Sequence, residues 1–473
     1  MIKDMNGREL SAEEVFSKSI KALVTSFMEM FKRDANLKVI RDNDIKWVLT
    51  VPAIWSEQSK QFMRKCARLA GIPSDSLSIA LEPECASVYC QRLTSTNWKD
   101  NNSSLFSAGK KYIVVDLGGG TVDIAVHEII TDLRLKEIYR STGSNCGGTS
   151  IDNAFLDFLK NLFDKDDKSV MENLKKRHPE EYLELFRSFE SKKRTVKTDN
   201  QKVVRMMIPI TVLTSLCKEV HGKNLDEVWK GSDFSKEISI KGDKLSISPK
   251  VFAGFFTPTI EKILKILESI LKKEEMSDVK DVILVGGFAE CGILQDKIRS
   301  TFESRQVLIP LDCGLAVLKG AVLYGHRPSV IAVRLIRYTY GVDVTIRFNE
   351  TCHSERHLIE IRGMKYCRDV FQTLIEKNTE VQNDQIVTKQ FKLRPGQERV
   401  AVKIYMSTEQ SPNYIDHISC CLLGQLIIHI SNPIERERMI DANFMFGGTE
   451  LKVTATDRET GEIFLTAIEM VAE

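Results

Sequence analysis

The stretch Val114-Val115-Asp116-Leu117-Gly118-Gly119-Gly120-Thr121-Val122-Asp123 sets two carboxylates on either side of three glycines and a threonine. A strand that ends in Asp-x-Gly-Gly-Gly-Thr and resumes as Val-Asp-Ile-Ala-Val reads as a tight hairpin. Its exposed amides make a nest for an anion, and glycine lets the chain approach a phosphate closely and take positive φ. Carboxylates beside a phosphate repel it unless a cation intervenes. The spacing therefore points to Mg²⁺ held by Asp116 and Asp123, through water. Thr121 adds a hydroxyl to the same cluster. The competing account is a glycine-rich hairpin whose turn acids are merely solvated. Two further glycine pairs follow. Val282-Ile-Leu-Val-Gly-Gly-Phe288 reads as a buried strand ending in Gly286-Gly287, which permit flat contact with a nucleobase or ribose. Gly147-Gly148-Thr-Ser-Ile-Asp-Asn153 leads into a helix. For either pair alone, a glycine required by helix packing is the better account.

The elements that must position these residues alternate between strand and helix from about Val15 to Arg334, the pattern of an α/β domain. Trp47 to Val51 predicts a buried strand closed by Pro52. Ser56 predicts the cap of a helix with Phe62, Cys66 and Leu69 on its apolar side, ended by Gly71. Ser248-Pro249 predicts another helix start, with Phe252, Phe256, Ile260, Ile263, Leu264, Leu267 and Leu271 at helical spacing. After Pro328 the texture changes. Val400 to Ile404, Leu426 to Ile430 and Leu451 to Ala455 are short strand-like runs, and Asp457 to Gly461 reads as a hairpin turn. Asn97 to Ser107 reads as a surface loop and Asp164 to Glu181 as a solvated helical face.

Composition narrows the classes. The 473 residues suffice for two or three domains with real cores. A net charge of +2 gives no support for a nucleic-acid partner or a membrane surface, and no run approaches the roughly eighteen apolar residues of a membrane span. The 11 cysteines are odd in number, scattered and without a CxxC pair, which predicts free thiols in a reducing cytoplasm and no zinc site.

DLGGGTVD, then GGTSIDN, FESKKRT, VILVGGFAE and AVLKGAVLYG in that order, resembles the nucleotide-binding domain of the seventy-kilodalton heat-shock chaperones. KIYMS and FMFGGTELKVTATDRETGE are similar to those chaperones' β-sandwich substrate-binding domain. WVLTVPAIW, LEPECASVYC and AVLKGAVLYG resemble the divergent type-12 branch. The resemblance implies an α/β, two-lobed ATPase domain of the actin and sugar-kinase fold over 1–330, a linker at 331–339 and an all-β sandwich over 340–473. It implies ATP or ADP with Mg²⁺ in a cleft, polypeptide clients or protein partners on the β-sandwich, and a role in the stress response. Residue by residue, it assigns Gly118, Gly119, Gly120 and Thr121 to phosphate, and Asp116 and Asp123 to the metal. Glu82 is assigned to the attacking water, Gly148 and Thr149 to the ribose side, Glu190 and Lys193 to ribose and adenine, and Gly286, Gly287 and Phe288 to adenosine.

Several features depart from that pattern. The family's first phosphate loop, an Asp-x-Gly-Thr hairpin with a lysine after it, has no counterpart in the sequence. An incomplete first lobe is therefore expected, with weak nucleotide binding and little or no ATP hydrolysis. Val330 to Arg337 is basic where the family linker is acidic and hydrophobic, and GGFAECG lacks the usual ending of the adenosine motif. Pro52 and Lys60 fall where the family has a proline and a basic switch residue, although an ordinary surface lysine accounts equally well for Lys60. The alternative function is a non-catalytic adaptor that keeps the fold.

Overall fold

The computed structural model describes all residues except 5–6, 34–43, 100–105, 166–168, 198–202, 431 and 471–473. Its central sheet has seven strands, in the order Gln306–Leu308, Asp281–Val285, Lys111–Leu117, Val122–Ile129, Leu135–Ser144, Ile331–Leu335 and Glu380–Gln382. The run Lys111–Leu117 is apolar at nearly every position because the sheet is covered on both faces. On one face Ile113, Val115 and Leu117 pack with Phe155, Phe189, Ile263 and Leu267 from three helices. On the other, Tyr112, Val114, Ile283 and Val285 meet the helices Glu82–Cys90 and Ala316–His326. Those two helices approach so closely that the Cys85 carbonyl leaves no room for a Cβ at Gly320.

Register decides what the sheet presents at its end. Val285 pairs with Asp116 in the parallel neighbour, and Asp116 pairs with Asp123 across the hairpin. The turn at Gly286-Gly287 and the turn at Gly118–Thr121 therefore leave the same end of the sheet, side by side.

A smaller parallel pair, Trp47–Val51 with Leu77–Leu81, is crossed by the helix Glu57–Leu69. Ser56 caps that helix by accepting from the Ser59 amide at 3.2 Å. Its buried stripe is Met63, Cys66 and Ala67, whereas Leu69 is 52% exposed. The expected stripe through Phe62, Cys66 and Leu69 is thus rotated by about one residue. Helix Ala12–Arg33 lies over this unit, with Phe16 edge-on to Phe62 and Phe27 edge-on to Trp47.

The helix expected after Ser248 is two helices, Pro249–Gly254 and Thr257–Leu271. Pro258 cannot donate an amide bond, so the helix restarts there with proline in its first turn. Within the segment read as a surface loop, Trp98 is buried and pairs with Pro310; 100–105 lie outside the described residues. In the segment read as a solvated face, Val170, Met171 and Leu174 of the helix Val170–Arg177 are buried.

From Thr339 onward the regular structure of the described residues is β-strand, apart from the single 3₁₀ turn Glu355–His357. Nine strands run in the order Leu358–Ile361, Met364–Ile375, Thr339–Arg347, Arg399–Ser407, Cys420–His429, Ile463–Met470, Lys452–Asp457, Arg438–Met445 and Ile386–Leu393. Val342, Ile404, Leu426, Ile428, Ile440 and Phe444 form their core. At the turn Asp457–Gly461, Asp457 Oδ1 accepts from the amides of Glu459 and Thr460, and Gly461 takes φ +75°.

The segment 331–339, expected as a linker, begins as the strand Ile331–Leu335, parallel to Leu135–Ser144 and paired on its other edge with Glu380–Gln382. An apolar run placed beside an open sheet edge satisfies its backbone there. Its basic residues are consumed in contacts. The Arg334 guanidinium grips both oxygens of Glu84 at 2.7 and 2.8 Å. Arg337 donates to the carbonyls of Ala53 (3.2 Å) and Trp55 (3.3 Å). Lys60 is buried, not a surface lysine, and donates to Glu57 at 2.7 Å and to the Thr449 carbonyl at 3.1 Å. Arg64 holds Glu450 through two bonds of 2.8 and 2.6 Å.

Candidate functional site

The hairpin between Asp116 and Asp123 closes with the Gly118 amide donating to the Thr121 carbonyl at 3.0 Å. Its carbonyls are then claimed by the start of the helix Thr149–Phe163. Gly148 N donates to Gly118 O (3.1 Å), Gly147 N to Gly120 O (3.1 Å), and Thr149 N to Gly119 O (2.8 Å). The Thr149 hydroxyl donates to Gly119 O as well, at 2.9 Å. A carbonyl and the amide of the same trans peptide point opposite ways, so the amides of Gly119, Gly120 and Thr121 face away from that helix. This close stacking is why Gly147 must be glycine: a Cβ there would sit 2.5 Å from Gly119 O. Gly286 is constrained twice, by φ +90° and by Asp116 Oδ1 at 2.5 Å from a Cβ in its place.

Beside the hairpin is a cavity of about 260 Å³. Gly119, Gly148 and Thr149 form one wall, Glu190, Lys193 and Arg194 another, and Gly287, Phe288 and Cys291 a third, with Asp152 among them. Lys193 is buried and donates to Glu190 Oε2 at 2.5 Å, Asp152 Oδ1 at 2.8 Å and Gly148 O at 3.2 Å. Arg194 joins Glu190 (2.8 Å) to Glu290 (3.1 Å). Burial works to raise the Glu190 carboxyl, but its bonds to Lys193 and Arg194 outweigh it and hold the group below the usual range. Burial keeps Asp152 above its ordinary value despite Lys193, and pushes the Cys291 thiol up to about 11. Thus Gly119, Gly148, Thr149, Glu190, Lys193, Gly287 and Phe288 share one cavity. Asp152, Arg194 and Cys291 were not singled out from sequence. Asp152 sits in the Gly147–Asn153 motif, and Arg194 is one helical turn from Glu190, so helical spacing could have found both.

Glu82, Asp116, Asp123 and Thr121 form the other end, joined to the cavity through the hairpin that carries Gly119. Burial, then the charges of Asp116 and Asp123, push the Glu82 carboxyl up to about 8. Burial and Asp123 push Asp116 to about 7. Asp123 is also raised by burial, although the Thr121 hydroxyl, the amides of Ile54 and Ala53, and the charge of Arg337 all act to lower it. Its Oδ2 is buried without a hydrogen-bond partner. Carboxyls that repel one another, with one oxygen left orphaned, fit a divalent cation. Among the described residues no three His, Cys, Asp or Glu converge as a direct metal cluster, and Asp116 and Asp123 are the residues that would reach a cation across water.

The fold places the chain in the actin-like class. The family model described as Hsp70 protein matches residues 3–225. Human heat shock 70 kDa protein 12A is 31% identical to this chain, over 98% of the chain and 76% of the relative, and the mouse protein gives the same figures. Human heat shock 70 kDa protein 12B is 30% identical over 100% of the chain and 77% of the relative. A chaperone protein DnaK from Mycoplasmopsis synoviae is 24% identical over 72% of the chain and 49% of the relative. The chain belongs to the Hsp70 family, in its type-12 branch. No described helix is long and apolar enough to cross a membrane.

Proposed function

We propose that the protein binds ADP or ATP with Mg²⁺ at the end of the central sheet and engages polypeptide clients or protein partners through residues 340–473. The observation that carries this reading is the convergence of two glycine turns on one cavity, together with a buried Lys193 bonded to two acids. Drug-sized ligand pockets run from about 300 to 1,000 Å³. A cavity of about 260 Å³ therefore suits the nucleoside end alone. Gly287 and Phe288 face the adenosine while Gly286 seats their turn against Asp116, Glu190 and Lys193 reach ribose and base, and Gly148 and Thr149 line the ribose side. The phosphates run outward along the amides of Gly119, Gly120 and Thr121, the Gly118 amide being spent on the Thr121 carbonyl. Asp116 and Asp123 would hold Mg²⁺ through water, and the cation would supply positive charge against the phosphates. Glu82, close enough to Asp116 and Asp123 for their charges to raise it, is the carboxyl that orients water near the terminal phosphate.

Turnover by these groups is slow. Phosphoryl transfer depends on cations placed where charge develops, and Arg337, whose charge Asp123 feels, is committed to two backbone carbonyls. The division at 330–340 into a nucleotide-binding and a β-sandwich part belongs to the same proposal, as does a chaperone role in the cytoplasm. Eleven free cysteines, eight of them buried, support a reducing compartment. Titration of the chain with a fluorescent ADP analogue, beside Lys193→Ala and Gly287→Val, tests the reading. Saturable binding weakened by both changes supports it. A steady-state ATPase assay with an Asp116→Ala control checks turnover, and fast Asp116-dependent hydrolysis would contradict the slow-turnover inference.

A further inference from the structure

A single peptide unit joins the basic junction to the carboxylate cluster. The carbonyl of Ala53 accepts from Arg337 Nη1 at 3.2 Å, and the amide of the same unit, Ile54 N–H, donates to Asp123 Oδ1 at 3.0 Å. Because the two ends of a trans peptide are rigidly opposed, fixing the carbonyl fixes the direction in which the amide points. A second bond from Arg337 to the Trp55 carbonyl, at 3.3 Å, holds the following turn, which the Trp55 amide closes onto Pro52 O at 3.2 Å. On its far side the turn is fenced by Gly143, where a Cβ would lie 3.0 Å from the Ile54 side chain. Hydrogen bonds in series also polarise one another in a poorly solvated setting. A guanidinium on the carbonyl therefore makes the amide a better donor to the carboxylate.

We propose that Arg337 is a positioning residue of the site: acting through the Ala53–Ile54 peptide, it orients Asp123 and sets how strongly a divalent cation strengthens nucleotide binding. Asp123 Oδ1 is occupied by the Ile54 amide and Oδ2 is left buried and unpartnered. The amide thus decides which oxygen is presented to a cation. Arg337 stands two residues before Thr339–Arg347, the first long strand of the nine-stranded sheet. The orientation of Asp123 is therefore tied to how that part of the chain is seated.

The inference rests on the nucleotide reading of the site, and the experiment separates the two. In the full chain, the affinity for a fluorescent ADP analogue is measured with excess Mg²⁺ and with EDTA. The ratio of the two constants is the readout. Loss of a group that orients a metal-side carboxylate typically costs 10- to 100-fold in metal affinity. Arg337→Gln should shrink the ratio by about 10-fold while leaving the EDTA value little changed. Arg337→Lys, which keeps a charged donor, should restore most of it. In an Asp123→Asn background, Arg337→Gln should have no further effect. Hydrogen exchange over residues 52–56 in the nucleotide-free chain supplies an arm that needs no ligand: exchange quickens in Arg337→Gln and in Asp123→Asn, and no further in the double variant. An unchanged Mg²⁺ ratio, or additive effects in the double variant, overturns the proposal. A wild-type chain that fails to bind the analogue overturns the nucleotide reading instead, and the exchange arm still decides for or against Arg337. If the glutamine variant lost cooperative unfolding, Arg337→Met, which keeps the apolar stem, would carry the same comparison: a shrunken ratio with quickened exchange supports the proposal, and a wild-type ratio overturns it.

Discussion

Replacing Arg334 by methionine removes the partner of a carboxylate that has almost no water to turn to. Glu84 is 2% exposed and Arg334 is 6% exposed. The guanidinium makes two bonds to Glu84 at 2.7 and 2.8 Å, one to Asn383 Oδ1 at 3.3 Å, and one to the Gly447 carbonyl. Removing one member of a buried pair typically costs about 3–5 kcal/mol, because the remaining charge stays desolvated. An exposed pair is worth about 0–1 kcal/mol. Burial on both sides puts this pair in the first class, so Arg334→Met should destabilise the first unfolding transition by about 3–5 kcal/mol. It should also speed proteolysis between residues 328 and 340, since the bonds to Asn383 and Gly447 tie this segment to the nine-stranded part. Glu84→Leu combined with Arg334→Met removes both charges, and about half or more of the loss should return. The assay is equilibrium urea unfolding followed by tryptophan fluorescence, with timed proteolysis alongside. A single-variant cost below about 1 kcal/mol, or a double variant as unstable as the single, would refute the reasoning.

Three further outcomes are expected. Because Glu82 is held at about 8 and Asp116 at about 7, the folded, cation-free chain binds protons that the unfolded chain releases above its ordinary carboxyl values. Their stabilising contribution is thus full below the ordinary carboxyl values of 3.8 for Asp116 and 4.5 for Glu82, and is lost progressively from there until pH has risen through about 7 and about 8, by up to about 1.4 kcal/mol per pH unit per proton. In EDTA, Glu82→Gln should match wild type near pH 4.5 and exceed it by on the order of 2 kcal/mol at pH 8.5; a gap that fails to widen counts against the cluster. Gly286→Ala meets both a left-handed backbone and the Asp116 carboxylate. It should cost about 1–3 kcal/mol in urea unfolding and weaken ADP-analogue binding, whereas a neutral result would show that the turn relaxes freely. Phe444 is fully buried in the β-sheet core, so Phe444→Ala should cost about 3–5 kcal/mol in the transition reporting residues 340–473, and a cost under 1 kcal/mol would mean that this core is not closed.

Features carried by local chemistry were legible in the sequence. The hairpin at Asp116 to Asp123, the cap at Ser56, the start at Ser248-Pro249 and the turn at Asp457 to Gly461 each depend on residues within a few positions of one another. What could not be read depends on partners far along the chain. Arg334 reads as one charge in a basic linker until Glu84, 250 positions away, is seen beside it. Lys60 reads equally as a switch residue or a surface lysine, and its burial shows only once its bond to the Thr449 carbonyl, far along the chain, is seen. Ile331–Leu335 has the same apolar texture whether it is a tether or a strand, and only an open neighbour at Leu135–Ser144 decides. In the helix Glu57–Leu69, Phe62 and Met63 give nearly equivalent stripes, and packing beneath Trp47–Val51 and Leu77–Leu81 selects the second. At the site, the glycines announce themselves by type. Asp152 and Arg194 lie within reach of helical spacing from residues already singled out, whereas Cys291 becomes visible only when helix starts and strand ends meet around the cavity.

The central claim is that this cavity takes the nucleoside end of an adenine nucleotide. A photoactivatable azido-adenine nucleotide, cross-linked to the full chain with Mg²⁺ and mapped by peptide mass spectrometry, tests it most directly. The account predicts labelling confined to the segments around Glu190–Arg194 and Gly287–Cys291, protected by excess ADP and lost in Gly287→Val. Labelling elsewhere, or labelling of these segments that ADP does not protect, would contradict it.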